Sequence, residues 1–226
     1  MFIELTEILR CPRDHAESYV VAAPIAMDGR RIVRGVIGCP ECKAEFPIVD
    51  GVAYFVEEAR DEPREPAGGG AVVEGKDDGT PARPAARPGA QPRSPMPDYD
   101  AAALIAFLSL DGPGGYAALV GRAARFGPEV AALLPGVHIV AVNPPAGVGP
   151  LPTLSLLASA RRLPFKSATL RAVALGADHA AGPWLADAVR VLLPGLRLVV
   201  EDERASPEGV SELARGAGLL VATKDR

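Results

Sequence analysis

Apolar runs recur from residue 98 to residue 226, where they alternate with stretches of helical character. Short runs rich in Val, Ile, Leu and Ala predict buried strands at residues 116–120, 137–142, 154–157, 170–175, 196–200 and 219–222. Helices are predicted at residues 100–108, 128–134 and 184–193. A further helix is predicted to begin at Ser206-Pro207-Glu208, because serine is a favourable N-cap and proline a favourable first helical residue. This alternation predicts an α/β fold with a doubly wound, mostly parallel sheet.

The first 56 residues have a different, shorter pattern of apolar positions. Residues 32–37 and 46–49 predict two paired strands, and residues 52–56 predict an apolar return strand. The Asp50-Gly51 pair between the last two strands predicts a tight turn. We therefore expect a small α+β domain at residues 1–56, separate from the domain at residues 98–226.

Residues 57–97 contain mostly Pro, Gly, Ala and charged side chains, with very few large apolar ones. Such a segment cannot offset the entropy cost of ordering, and it predicts a disordered linker between two domains that fold separately. Two interpretations of this linker stay open. It acts either as a tether that keeps the domains at high effective concentration or as a spacer of neutral sequence.

Length and charge narrow the class of protein. A chain of 226 residues suits two small domains. No basic segment precedes an apolar one at the N-terminus, and no apolar run approaches the roughly 20 residues of a membrane helix, so we expect a cytoplasmic protein with no membrane partner. The net charge of −4, with acids and bases nearly balanced in both domains, predicts no strong nucleic-acid surface. The basic cluster Arg161-Arg162 with Lys166 is most simply a solvated loop.

All three cysteines lie in the first 42 residues. Cys39 and Cys42 form a Cys-Pro-Glu-Cys turn, and Cys11 opens a second turn that has Asp14 and His15 in place of another cysteine. This spacing predicts a zinc site with Cys11, Cys39, Cys42 and a fourth ligand, either His15 or Asp14. The alternative is a metal-free fold in which the thiols are only buried.

Residues 5–12, 38–42 and 46–52 together resemble the small zinc-ribbon family typified by the activator subunit of eukaryotic tRNA methyltransferases and its short bacterial relatives. The resemblance covers about the first quarter of the chain. It implies a short helix that ends at the first cysteine, a variable hairpin, and a final strand and turn. It also implies a protein partner for the ribbon, such as a methyltransferase or a translation-related protein.

Residues 163–173 and 184–195 carry a second resemblance. Leu163-Pro164-Phe165 before a strand and Arg190-Val191-Leu192-Leu193-Pro194-Gly195 at a helix end are similar to the second half of class I methyltransferases that use S-adenosylmethionine. The similarity spans roughly residues 116–222 and implies a Rossmann-like, methyltransferase-like sheet with this cofactor at its edge.

The positions that hold the cofactor in that family are altered here. The loop after the first strand keeps Gly121 but continues with Arg122 and Ala123, where the resemblance implies more glycine. The resemblance implies an acid that binds the ribose hydroxyls at the position of Asn143. It implies two further acids at the positions of Ser159 and Arg171. If S-adenosylmethionine binds at all, Gly121 and Asn143 would contact it. We interpret Asn143-Pro144-Pro145 as a turn.

Two functions from different classes follow. The first is a non-catalytic binding or scaffold protein, and the second is an active methyltransferase with a built-in ribbon activator; no catalytic residue is assigned for either. Asp178-His179 follows the fourth strand, where a carboxylate and an imidazole would serve as a general base, although a solvent-exposed loop histidine is the simpler interpretation. His138 lies inside an apolar strand and is expected in the core.

Overall fold

The computed structural model describes residues 1–56 and 97–226. Eleven strands of these residues form one mixed sheet, in the order β1-β2-β3-β4-β7-β6-β5-β8-β9-β11-β10. The strands are β1 (Val21–Asp28), β2 (Arg31–Gly38), β3 (Glu45–Val49), β4 (Val52–Phe55), β5 (Tyr116–Val120), β6 (His138–Val142), β7 (Leu154–Ser159), β8 (Leu170–Leu175), β9 (Leu192–Val200), β10 (Val210–Gly216) and β11 (Leu219–Lys224). The predicted linker at residues 57–97 lies, except for Pro97, outside the described residues.

The second half of the sheet is doubly wound. Strands β7, β6, β5, β8 and β9 are parallel neighbours in this order. The chain adds β6 and β7 on one side of β5, and then returns to add β8 and β9 on the other side. The last two strands join antiparallel, β11 against β9 and β10 against β11. The prediction of an α/β fold with a mostly parallel, Rossmann-like sheet is confirmed.

Helices cover both faces of this sheet: α1 (Ala101–Leu108), α2 (Gly127–Leu133) and α3 (Pro183–Val191). Helix α1 begins where the Asp100 side chain accepts the amide of Ala103, and prolines stand in the first turns of α2 and α3. Along β5, Ala117 and Leu119 pack on the side of α1 and α2, whereas the alternate residues pack on the side of α3. Both faces of the central strands are therefore buried, which explains their continuous apolar runs.

The first 56 residues form an antiparallel sheet of β1–β4. Asp50 and Gly51 both have positive φ in the two-residue turn between β3 and β4, as predicted. The leading helix differs from the expected one. It is a 3-10 helix at Ile3–Glu7, and between this helix and Cys11 the chain makes two isolated bridges, Leu9 with Phe165 and Arg10 with Tyr19.

Strand β4 pairs in parallel with β7, from Val52 opposite Leu156 to Phe55 opposite Ser159. The segments predicted as separate domains therefore share one sheet, with the ribbon strands added at its edge. Their exact boundaries and their ability to fold alone stay predictions. Among the described residues, no helix has the length and apolar character needed to cross a bilayer.

Two predictions near the C-terminus were wrong. The described residues after Ser206 form no helix, because the chain turns at Gly209 (φ +73°) and enters β10, which forms a hairpin with β11. The capping signal of Ser206-Pro207 is local, and pairing with a neighbouring strand overrides it. Helix α3 also ends two residues earlier than predicted, since β9 begins at Leu192 rather than at residue 196.

Candidate metal centre and the carboxyl edge of the sheet

Cys11, His15, Cys39 and Cys42 lie together at one end of the ribbon, and we call them the four-ligand cluster. One ligand atom from each residue falls within 4.8 Å of all the others. Cys11 Sγ lies 3.7 Å from Cys42 Sγ, and Cys39 Sγ lies 3.5 Å from His15 Nε2. Asp14, the alternative fourth ligand, is outside this cluster, because its exposed carboxylate faces Arg162 at 3.6 Å.

These separations fit a tetrahedral zinc ion. With zinc–sulfur bonds of about 2.3 Å and zinc–nitrogen bonds of about 2.0 Å, tetrahedral angles place two sulfurs about 3.8 Å apart and a sulfur and a nitrogen about 3.5 Å apart. The sulfur–sulfur distance of 3.7 Å and the sulfur–nitrogen distance of 3.5 Å match these two values. Three thiols and one imidazole form a donor set of the type found in structural zinc sites.

The turns around the cluster orient its ligands. The Cys39–Cys42 turn is closed by the amide of Lys43 donating to the Cys39 carbonyl, and by the Cys39 amide donating to the Ala44 carbonyl. Lys43 itself has φ +57°, a left-handed conformation that tightens the turn. His15 Nδ1 lies 2.7 Å from the Ala16 carbonyl and donates to it, so the Nε2 lone pair is directed toward the thiols.

Two of the thiols have pKa values shifted in opposite directions. Burial raises the pKa of the Cys11 thiol to about 12, and the neighbouring thiols of Cys42 and Cys39 contribute to the rise. Burial also opposes ionisation of Cys39, but the Cys42 amide, the Ser18 hydroxyl and the Glu41 amide hydrogen-bond to its sulfur and lower its pKa to about 6. Cys39 therefore ionises at lower pH than Cys11.

The second region of interest is the carboxyl edge of the parallel strands, where β5 ends at Gly121. Gly121 has φ +59°, and a Cβ atom there would overlap His179 Nδ1 and lie 2.5 Å from Asp178 Oδ1. Asp178 Oδ1 also accepts the amide of Arg122 at 2.9 Å. The space above Gly121 is thus filled by side chains of the loop after β8.

Asn143, at the end of β6, has both ends of its amide engaged. Its Oδ1 accepts the Ser159 amide at 2.8 Å, and its Nδ2 donates to the Ser159 carbonyl at 2.9 Å. This pairing fixes the amide orientation, so Nδ2 also donates to His179 Nε2 at 3.1 Å. His179 therefore carries its proton on Nδ1, which lies 3.3 Å from Asp178 Oδ2.

This arrangement leaves no free imidazole lone pair for a general base formed by Asp178 and His179. The imidazole nitrogen that would accept a proton from a substrate is already an acceptor for Asn143, and the ring packs edge-on against Trp184 at 4.6 Å between centroids. The side chain of His179 is only 15% exposed, so it is not the solvent-exposed loop histidine that the sequence suggested. Burial would raise the pKa of Asp178, but hydrogen bonds from the His179 ring and from the Arg122 amide hold that pKa below its usual range.

The buried acid Glu201 was missed by sequence analysis. It follows β9 directly, its side chain is fully buried, and it accepts hydrogen bonds from Arg122 Nε at 2.9 Å, Arg125 Nη1 at 2.6 Å and the Tyr99 hydroxyl at 2.6 Å. The signal in the sequence was an acid placed immediately after an apolar strand. Together with Asn143, Asp178, His179 and Arg122, Glu201 forms what we call the carboxyl-edge network.

The carboxyl-edge network does not fit S-adenosylmethionine as the residues stand. Side chains of Asp178 and His179 occupy the space over Gly121, and both donors of the Asn143 amide are used within the chain, so none is left over for a ribose. Arg171 lies elsewhere, at the amino edge, where it donates to the carbonyls of residues 112–114.

His138 lies at the amino edge of the sheet, as part of the packed interior. It stacks on Phe2 at 4.6 Å and hydrogen-bonds with the Ser155 hydroxyl at 2.9 Å. Burial, together with the amino group of Met1, lowers its pKa to about 4. His138 is therefore neutral at physiological pH and belongs to the docking of the first residues on β6 and β7.

Comparison with known families agrees with the sequence resemblance at the N-terminus. Residues 3–51 match the family model described as Trm112p-like protein. This match covers the four-ligand cluster and strands β1–β3, and it confirms the zinc-ribbon resemblance. Among curated proteins, none matches this chain.

Solved structures similar to this one include several methyltransferases. The antibiotic-resistance methyltransferase Kmr is 17% identical with a TM-score of 0.41, covering 57% of this chain and 94% of that one. A SAM-dependent methyltransferase from Aquifex aeolicus is 15% identical with a TM-score of 0.42, covering 56% and 89%. Geranyl diphosphate C-methyltransferase from Streptomyces coelicolor A3(2) is 14% identical with a TM-score of 0.35, covering 44% and only 41%. The chain thus spans less than half of this last protein.

Proposed function

We propose that this protein is a methyltransferase-related binding or scaffold protein without catalytic activity, in which a zinc ribbon is built onto a methyltransferase-like sheet. One observation carries the proposal. The space over Gly121, at the carboxyl end of β5, is filled by Asp178 and His179 of the same chain. Open α/β sheets bind their ligands at this edge, so a chain that fills it internally has given up the usual ligand site.

The chemistry of Asn143 supports the same conclusion. An amide in place of a carboxylate loses a charge-assisted hydrogen bond to the ribose, which contributes about 1.5–3 kcal/mol. That loss alone weakens binding by about one to two decades. Breaking the bonds of Asn143 to Ser159 and His179 would add a further cost to any ligand that enters.

Titration calorimetry with S-adenosylmethionine and with its demethylated product tests the proposal. We expect no measurable heat of binding up to millimolar ligand for the wild-type chain. The Asn143→Ala variant is the matched control, since a genuine ribose contact would disappear in it. Low-micromolar binding by wild type that Asn143→Ala weakens would overturn the scaffold function.

An active methyltransferase with a built-in activator is the second candidate. The observation that favours it is the backbone of Gly121, which keeps a left-handed conformation at the end of β5. A glycine in this conformation is what a close approach of a ligand to the backbone requires. The same titration decides between the two candidates, because an enzyme of this class must bind its methyl donor.

We further propose that Cys11, His15, Cys39 and Cys42 hold one structural zinc ion. Zinc would cross-link the Cys11–His15 turn to the Cys39–Cys42 turn, and it would take no part in chemistry with a substrate. Metal analysis of the purified chain should give one zinc per chain. His15→Ala should lower that ratio and Asp14→Ala should leave it unchanged. The opposite result would move the fourth ligand to Asp14.

A protein partner of the ribbon, such as a methyltransferase or a translation-related protein, stays a prediction. The edge of β4 is already paired with β7 of the same chain, so an external partner would have to use another surface of the ribbon. Chemical cross-linking of the full chain in a cell extract, followed by mass spectrometry, tests this. Cross-links from the partner should fall on residues of β1–β3, and cross-links confined to residues 98–226 would contradict a role for the ribbon.

A further inference from the structure

The loop that carries Cys11 and His15 begins and ends at contacts with the second half of the chain. At its start, Leu9 bridges to Phe165, the Arg10 amide donates to the Pro164 carbonyl at 3.0 Å, and the amide of Lys166 donates to the Ile8 carbonyl at 2.8 Å. Leu9 and Phe165 are fully buried. The segment that contacts the turn at residues 163–167 is therefore followed directly by Cys11, the first residue of the four-ligand cluster.

Glu17 makes the contact at the other end of the loop, two residues after His15. Its Oε2 accepts the amide of Ser167 at 3.0 Å and the Ser167 hydroxyl at 2.8 Å, and it also accepts Arg10 Nη1 at 3.3 Å. Arg190 of α3 lies 3.6 Å from the same oxygen. One carboxylate oxygen thus joins the metal-binding loop, the turn at residues 163–167 and α3.

Arg190 binds the same turn beside Glu17. It donates to the carbonyls of Phe165 at 2.8 Å and Leu163 at 3.1 Å, and Asp187 fixes its guanidinium at 2.8 Å. Glu17 and Arg190 thus hold the turn together, so its position depends in part on where the loop at residues 11–17 is held. That loop has no regular secondary structure, and its ligand atoms contact the Cys39–Cys42 turn.

We propose that zinc occupancy of the four-ligand cluster controls the docking of the turn at residues 163–167, through Glu17 acting as a clasp. With zinc bound, Cys11 and His15 fix the loop and Glu17 holds the Ser167 amide. Without zinc, the loop is released, Glu17 withdraws, and the turn before β8 loosens. The proposal rests on the zinc site proposed above and adds a conformational consequence to it.

Hydrogen exchange followed by mass spectrometry on the full chain tests the clasp. Zinc content is measured first, and exchange is then compared with and without a zinc chelator. The peptide spanning residues 163–169 contains no ligand of the cluster, so we expect its exchange to rise at least tenfold when zinc is removed. A peptide from β5 serves as the internal reference and should not change.

The Glu17→Gln variant separates the clasp from general loosening. It should keep one zinc per chain, because Glu17 is not a ligand, yet its turn should exchange at least tenfold faster than wild type even with zinc bound. Exposed Glu41, inside the Cys39–Cys42 turn, supplies the matched control. Glu41→Gln should behave as wild type.

Each other outcome overturns a defined part of the proposal. A chain that takes up no zinc overturns both the zinc site and the clasp. A chain that binds zinc but whose turn exchanges equally with and without it overturns the clasp alone. Exchange that rises equally in β5 identifies global unfolding and also overturns the clasp. A Glu17→Gln variant indistinguishable from Glu41→Gln removes Glu17 from the mechanism.

Discussion

The four-ligand cluster and the carboxyl-edge network are both groups of polar side chains brought together by the fold, but they satisfy their polar atoms differently. In the cluster, three thiols and an imidazole lone pair converge within 4.8 Å of one another. In the network, every hydrogen-bonding atom of the Asn143 amide already has a partner within the chain. Convergent lone pairs indicate a site for a cation, whereas an amide paired at both ends within its own chain leaves fewer free groups for a ligand.

Removing a thiol from the four-ligand cluster is expected to have the largest effect. Cys39→Ser should reduce bound zinc from one per chain to less than a tenth. It should cost several kcal/mol of stability, since structural zinc contributes on the order of 10 kcal/mol in small zinc domains. For a chain of this length that corresponds to a fall in Tm of about 10 °C. Differential scanning calorimetry measures the Tm, with Glu41→Gln as the control variant. An unchanged Tm would mean that the thiols are buried packing groups and not zinc ligands.

Glu201→Gln should have the next largest effect, because it leaves Arg122 and Arg125 without their buried counter-charge. We expect a loss of about 3 kcal/mol in the free energy of unfolding. Urea denaturation measures it, with the exposed Glu208→Gln as the control. If both variants denature at the same urea concentration, the network does not depend on this carboxylate.

Asn143→Gly removes the amide that ties β6 to β7 and to His179, and it should cost about 1–3 kcal/mol. Glycine is chosen because Asn143 has φ +50°, so the backbone itself is not strained by the change. Ala168 has the same φ and an exposed side chain, which makes Ala168→Gly the backbone control. That control should be neutral or slightly stabilising. Equal effects of the two substitutions would show that the amide contributes nothing.

The smallest expected effect is that of Asp178→Asn, and its sign depends on pH. The folded-state pKa of Asp178 lies below its unfolded value of 3.8, so its ionised form stabilises the fold above that pH, and the contribution is lost as the pH falls below it. Asp178→Asn should therefore lower the Tm slightly at pH 7. At pH 3, where both chains are free of zinc, the two Tm values should approach each other. A difference that grows on acidification would contradict the assigned direction.

The features that sequence analysis predicted well are those with a local signal. Cys39 and Cys42 are three positions apart in one turn, so their convergence follows from the backbone of that turn alone. Strands β5, β6 and β8 are apolar apart from His138 and Arg171 near their amino ends, as burial on both faces requires. Asp14 and His15 are adjacent, so the sequence predicted either one as the fourth ligand. Only the directions of their side chains distinguish them, and the sequence does not give those directions.

The features that were missed depend on contacts between distant segments. Ser206-Pro207 has the composition of a helix start, but the fate of the following residues is decided by the free edge of β11. The contacts of Glu17 with Ser167 and of Glu201 with Arg122 and Arg125 join residues more than 70 positions apart. No periodicity within either segment encodes such a pairing, and hence neither acid was recognised beforehand.

The parallel pairing of β4 with β7 also sets the order in which the molecule is completed during synthesis. Val52 pairs with Leu156, so the edge of β4 stays unpaired until about a hundred more residues have left the ribosome. Long-range parallel pairing is an intrinsically slow folding step, and an open strand edge is prone to associate with other chains in the meantime. An early metal-bound ribbon would hold β4 in its final shape throughout this interval, and the nascent chain would then present a preformed template for β7.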